Sequence, residues 1–159
     1  MYGYSDAMAD DDSPVDVTFR YAVTSDITAV LALWQVAAEN DARPSDDASK
    51  IHTLIERDPE SLDLALVDGQ IVGSLIAGWD GWRAHLYRLA VHPTARRQGI
   101  GRALLARAEQ RLSALGANRL DAMVLEHNTL GQSVWTAEGY SAQTEWRRWV
   151  RAVEPARPN

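Results

Sequence analysis

A strand that runs directly into a glycine-turned helix constrains this chain more than anything else in it. His85 to Val91 (HLYRLAV) reads as a strand closed by His92-Pro93, because proline cannot continue a ladder. Arg96 to Gly101 (RRQGIG) then turns into a helix over Gly99 to Leu115. Its apolar set Leu104, Leu105, Ala108, Leu112 and Leu115 lies on one stripe, with Gly116 where a left-handed cap belongs. Two glycines at such a junction expose successive main-chain N–H groups at the positive end of a helix dipole, with Arg96, Arg97 and Arg102 alongside. That is a cradle for an oxyanion or phosphate; the plainer alternative is an arginine-rich, solvated helix start. The segment lacks the Gly-Lys-Ser/Thr ending of a nucleotide P-loop, which argues against magnesium-assisted phosphoryl transfer. The dinucleotide pattern also fails, since Leu104 occupies its third glycine position.

The rest of the chain supplies the sheet and helices around this unit. Val15 to Ala22 alternates as a half-buried strand, and Ile27, Val30, Leu31, Trp34 and Ala38 form one helical face ending near Asn40. After a loop with Pro44, Ser45, Asp46 and Asp47 followed by Ile51, Leu54 and Ile55 read as a second short helix with acids at its positive end, stopped by Asp58-Pro59. Leu62 to Val67 and Gln70 to Trp79 are strands joined by Asp68-Gly69, a strong hairpin signal, with a second turn at Asp80-Gly81. Arg119 to Leu125 is the next strand, Thr129 to Ala137 a helix ended by Gly139, and Ser141 to Val150 a last strand or two short ones. The order β-α-α-β-β-β-α-β-α-β describes an α/β, α+β-type mixed sheet with helices packed on it.

Composition narrows the chemistry. The 159 residues contain no cysteine, which removes disulfides, thiolate zinc sites, iron–sulfur clusters and cysteine nucleophiles. None of the four histidines has metal-ligand spacing. Of the formal charge of −6, five units come from Asp6, Asp10, Asp11, Asp12 and Asp16, so the body is nearly neutral and any anion binding is local. Residues 1–14 are too polar to offset ordering, which predicts a disordered acidic tail, a single domain over 15–152 and a frayed end at 153–159. No apolar run approaches a membrane helix and the N-terminus is acidic where a secretory signal is basic, so a soluble, cytoplasmic protein is expected. In a strand, Trp146 and Arg148 would share one face and Arg147 and Trp149 the other; they make no single stacking platform, and no nucleic-acid partner is expected.

The segment LYRLAVHPTARRQGIGRALL, Leu86 to Leu105, resembles the GNAT superfamily of acetyl-coenzyme A dependent N-acetyltransferases by letters, order and spacing together. A weaker match runs from Asn128 to Gly139-Tyr140, and the element order fits that fold from Val15 to about Val150. The resemblance implies a GNAT fold: a central, mostly antiparallel sheet splayed between two parallel strands and flanked by about four helices. It implies acetyl-CoA as co-substrate, its diphosphate on the N–H groups of Gln98, Gly99, Ile100, Gly101 and Arg102 with charge from Arg97 and Arg96. It further implies a pantetheine arm paired with the main chain of Leu89, Ala90 and Val91, an oxyanion donor from the same stretch, and a coenzyme contact at Asn128.

The proton carriers are harder to read. Where many relatives carry a general-acid tyrosine this chain has Trp135, a wall against the thioester or a core filler, and Gly131 replaces the usual alanine. Thiolate protonation falls to Tyr140, to water or to the substrate ammonium. Glu126 is the candidate base, His127 points to the opposite face of a regular strand, and Tyr87 on the other central strand is a further candidate. The acids Asp46 and Asp47 either attract a cationic amine or simply cap and solvate; Trp79 and Trp82 either wall a substrate or pack on each other. The expected activity is acetyl transfer to a primary amine, small molecule or peptide, by direct attack in a ternary complex. A non-catalytic acetyl-CoA sensor of the same fold is the alternative, and an exposed final strand leaves room for a homodimer.

Overall fold

In the computed structural model, which describes residues 15–154, the Asp68-Gly69 turn does what its sequence requires. Both residues have positive φ, +48° and +75°, the conformation that lets a two-residue turn match the twist of its strands. The turn joins β2 (Leu62–Val67) to β3 (Gln70–Trp79). With β1 (Val17–Tyr21), β4 (Ala84–Val91) and β5 (Leu120–Ala122) they form one sheet in the order β1-β2-β3-β4-β5. The first four strands are antiparallel to their neighbours and β5 is parallel to β4. The helices are α1 (Ile27–Ala37), α2 (Ala48–Arg57), α3 (Ile100–Ala114) and α4 (Thr129–Ala137). This is the mixed, mostly antiparallel sheet with four helices that the sequence predicts.

The described chain divides into two compact units, one running through Val124 and the other beginning at Leu125. In the first, β2 is buried along nearly its whole length, as a strand covered on both faces must be. Leu62, Leu64 and Leu66 pack with Ile76, Ala90, Val30, Leu33 and Trp34 in the core under α1 and α2. On the other face Ala65 and Gly73 lie against Ile100 and Leu104 of α3. Asp63 is carried into the interior because Arg107 of α3 meets it with two hydrogen bonds, 2.5 and 3.1 Å.

Asp26, before α1, accepts the Val23 N–H at 2.8 Å and two bonds from Arg20 at 2.7 and 2.9 Å. The Arg20 hydrogen bonds hold its carboxyl below the usual value of 3.8, against burial, with the Val23 N–H adding to the effect. A depressed folded-state pKa gives stability that is present above the unfolded value and lost as pH falls through the folded one. Asp26→Asn therefore loses up to about 1 kcal/mol at pH 7, the worth of a partly exposed ion pair. Its deficit against the parent shrinks below the ordinary carboxylate range, as urea unfolding over a pH series will show.

Three expectations are corrected. The strand anticipated over 119–125 is only Leu120–Ala122. Ser141 to Val150 forms no strand, and Trp146 and Trp149 stand exposed. Aromatic and β-branched residues favour a pleated, half-buried surface, but without a neighbouring ladder their main chain stays irregular. The sheet edge on which a homodimer was expected to pair is therefore not formed there. The acidic tail expected over 1–14 and the end at 155–159 lie outside the described residues, and 151–154 are exposed and irregular. Among the described residues no helix is long and apolar enough to cross a membrane.

Candidate active site

The two parallel strands part company early. Ala84, His85 and Leu86 pair with Leu120, Asp121 and Ala122, and there the ladder stops. From Tyr87 to Val91 the main chain of β4 has β3 on one side and, among the described residues, no strand on the other. At its far end β4 delivers the chain through a short 3-10 turn, Pro93–Ala95, into α3.

The start of α3 leaves its opening amides facing open space. Gly99 has φ +76°, a conformation glycine adopts without steric cost, and Arg97 before it has φ +63°. No side chain caps the helix; its first repeating bond is Ala103 N–H to Gly99 O, so the opening amides have no acceptor within the helix. Ile100 is 2% exposed, so its side chain anchors in the core while its N–H stays at the helix end. The space above the turn is open: nothing lies within 4 Å of a Cβ built on Gly99, and one on Gly101 meets only Val91 Cγ2 at 3.8 Å. Arg96, Arg97, Gln98 and Arg102 are exposed around it. Arg96 folds back, its Nε donating to Val91 O at 3.1 Å, which ties the cradle to the end of the bared strand. The helix start at Gln98 to Arg102 thus adjoins Val91 at the end of β4.

Tyr87 is placed differently. It lies opposite Ile76, on the face of α1 and α2, and its hydroxyl is the nearest atom to a Cβ built on Gly78, toward the start of β4 and away from Val91. Partial burial, with the charge of Asp58 adding, raises its pKa above the ordinary 10. His85 Nδ1 faces Asp121 Oδ1 across the parallel pair at 2.5 Å.

In the second unit Asn128 caps α4, its side chain accepting the Gly131 N–H at 2.8 Å. A Cβ on Gly131 would lie 2.6 Å from Asn128 Nδ2, so the missing methyl makes room for this cap. Trp135 and Tyr140 meet edge to face, centroids 4.9 Å apart at 75°. The main chain of Glu126 is held by Gln132 Nε2 at 2.7 Å and its side chain is exposed. Asp47 takes the capping reading, whereas Asp46 neither caps nor stands solvated. Asp47 caps α2 through the Ser49 N–H at 2.7 Å, and Asp46 pairs with Arg88 and Arg43. Arg88 is the residue that sequence reading missed; its only signal was a charge in an otherwise apolar strand.

A family model described as the acetyltransferase (GNAT) family matches residues 27–140. The chain belongs to the GNAT acetyltransferase family. An acetyltransferase of Pectobacterium atrosepticum is 39% identical over 104 residues, covering 65% of this chain and 72% of that relative. The solved structure of Ard1 from Thermoplasma volcanium is similar in fold, with a TM-score of 0.71 at 21% identity over 82% of this chain and 86% of that one. That of a ribosomal-protein-alanine N-acetyltransferase from Brucella melitensis has a TM-score of 0.63 at 26% identity over 77% and 83%. This GNAT protein is thus an acyltransferase, and acetyl-CoA is the co-substrate that family membership assigns to it.

Proposed function

We propose that this GNAT protein transfers acetyl from acetyl-CoA to a primary amine by direct attack. The observation that carries the reading is the continuity of an uncapped, glycine-started helix with a stretch of β4 that lacks a strand neighbour. Main-chain N–H groups from Gln98 to Arg102 hold the diphosphate, with Arg96 and Arg97 adding charge. Leu89 to Val91 present main-chain groups to the pantetheine arm. The thioester supplies the activated acyl carbon; a C–N bond forms, the C–S bond breaks, and the thiolate takes up a proton. An N–H of Leu89, Ala90 or Val91 stabilises the oxygen that gains charge. Glu126 takes the proton of the incoming ammonium, and Tyr140 or water returns one to the thiolate. By the family pattern Asn128 and Trp135 are further coenzyme contacts.

The direct test is thiol release by the full-length protein with acetyl-CoA and a panel of spermidine, L-lysine, L-glutamate and peptides bearing an N-terminal alanine or an internal lysine. Turnover on one of these supports the reading. Acetyl-CoA binding without turnover on any favours the sensor role. On the best acceptor, Glu126→Gln lowers turnover by about 10²-fold with the acidic limb of the pH–rate profile altered; an unchanged profile clears Glu126 of the role.

A further inference from the structure

Arg88 is held at both ends. Its φ of +56° is one that non-glycine residues keep only when their surroundings enforce it. It lies in a bulge: Tyr87 opposes Ile76 and Ala90 opposes Ser74, so Arg88 and Leu89 together face the single residue Leu75. Its carbonyl accepts from Ser74 Oγ at 3.0 Å, and that hydroxyl accepts from Trp34 Nε1 at 2.8 Å. The side chain is only 3% exposed. Nε donates to Asp46 Oδ1 at 3.1 Å and Nη2 to Asp46 Oδ2, while Nη1 donates to Glu39 O at 2.9 Å and Asn40 Oδ1 at 3.0 Å. The guanidinium carbon sits 5.0 Å from the centroid of the Trp34 ring.

These partners belong to the connection between α1 and α2, residues 38–47, which has no helix or strand of its own and carries a left-handed Ala42. The same connection walls a cleft of about 160 Å³, lined by Gln35, Asn40, Arg43, Ser45, Asp46 and Arg88. The cradle at α3 lies on the opposite face of the sheet. An acyl group set against Leu89 to Val91 would thus have the coenzyme on one side and this cleft on the other.

We propose that Arg88 is a positioning residue for the transfer: through Asp46 it locks the α1–α2 connection to the bulge of β4, so that one ion pair sets both the acceptor cleft and the main chain that receives the acyl group. The inference rests on the acetyl-transfer reading for its kinetic arm and on geometry alone for its exchange arm. Asp46→Asn in the full-length protein keeps the side-chain shape and removes the charge. Amide hydrogen exchange is expected to rise at least about tenfold both at 39–47 and, across the ion pair, at 88–91, with β1 and α3 unchanged. For the best acceptor of the panel, KM rises at least about tenfold while KM for acetyl-CoA, whose diphosphate is held at α3, rises several-fold less. Arg88→Lys, which keeps charge but loses the two-pronged geometry, recovers part of the acceptor KM lost in Arg88→Met. Unchanged exchange at 88–91 in Asp46→Asn overturns the proposal, as does an equal rise in both KM values. If no amine in the panel is acetylated, the transfer reading fails by itself and the exchange result still decides whether Arg88 couples the two segments.

Discussion

Replacing Gly101 with glutamate should strip the protein of coenzyme affinity while leaving it at least as stable as before. The two effects have different origins and opposite signs. A Cβ at this position meets only Val91 Cγ2, at an ordinary 3.8 Å, so the fold has room for the side chain. Gly101 lies in the first turn of α3, where exchanging glycine for a better helix former gains up to about 1 kcal/mol and an acid near the positive dipole end gains about 0.3–1 kcal/mol. The melting temperature should hold or rise by a few degrees. The same carboxylate would stand in the space the diphosphate needs. Two like charges about 4 Å apart near a protein surface repel by about 4 kcal/mol, well beyond the roughly 2.8 kcal/mol that makes a hundredfold change in affinity. Calorimetric titration with coenzyme A should therefore show a loss of at least about 10²-fold in a protein that melts no earlier than its parent. A folded variant with parental affinity would remove the diphosphate from this helix start.

The strand-to-helix turn was legible because glycine marks positions of positive φ. Gly99 in RRQGIG is a left-handed residue at a strand-to-helix junction, and Asp68-Gly69 marks its hairpin by the same logic. The bulge of β4 carried no such mark. Arg88 adopts a left-handed conformation with no intrinsic preference for it, because Asp46, Asn40 and Trp34 hold it there, and those partners lie more than forty residues away in sequence. Non-local enforcement of that kind leaves no periodicity to read. The acids Asp46 and Asp47 were ambiguous for a related reason: a carboxylate at a helix start looks alike in sequence whether it caps, pairs with a buried cation or waits for a ligand. The structure uses Asp47 for the first and Asp46 for the second. Ser141 to Val150 shows the limit of strand propensity, which describes what fits a ladder and not whether one is at hand. Glu126, Tyr140 and Trp135 stay candidates, since the letters of a donor-binding motif do not specify which groups carry the acceptor's proton.

The opposite balance, in which the fold itself suffers, is expected at Gly73. This position lies inside β3, where valine would ordinarily be the better strand former by up to about 1 kcal/mol. Packing overrides that gain. A Cβ on Gly73 falls 3.0 Å from Ile100 Cγ2, 3.1 Å from Ala65 Cβ and 3.2 Å from Leu104 Cδ1, and Leu104 is fully buried. Every one of these atoms would have to yield, and valine adds two further methyl groups. Overpacking of this kind costs about 1–3 kcal/mol, so Gly73→Val should lose roughly 1–2 kcal/mol net and melt about 2–8 °C lower. The damage should also reach the site, because Ile100 opens α3 and any outward shift of its side chain displaces the amides that begin the cradle. Coenzyme affinity is expected to fall together with stability, whereas Gly101→Glu lowers affinity alone. Ile100→Ala removes one of the clashing groups at its own cavity cost of about 2–5 kcal/mol. The double variant should consequently be less destabilised than the two single losses added, by at least about 0.5 kcal/mol in denaturant unfolding. Strict additivity, or a Gly73→Val protein that melts higher than the parent, would mean that α3 does not rest on β3 at this point.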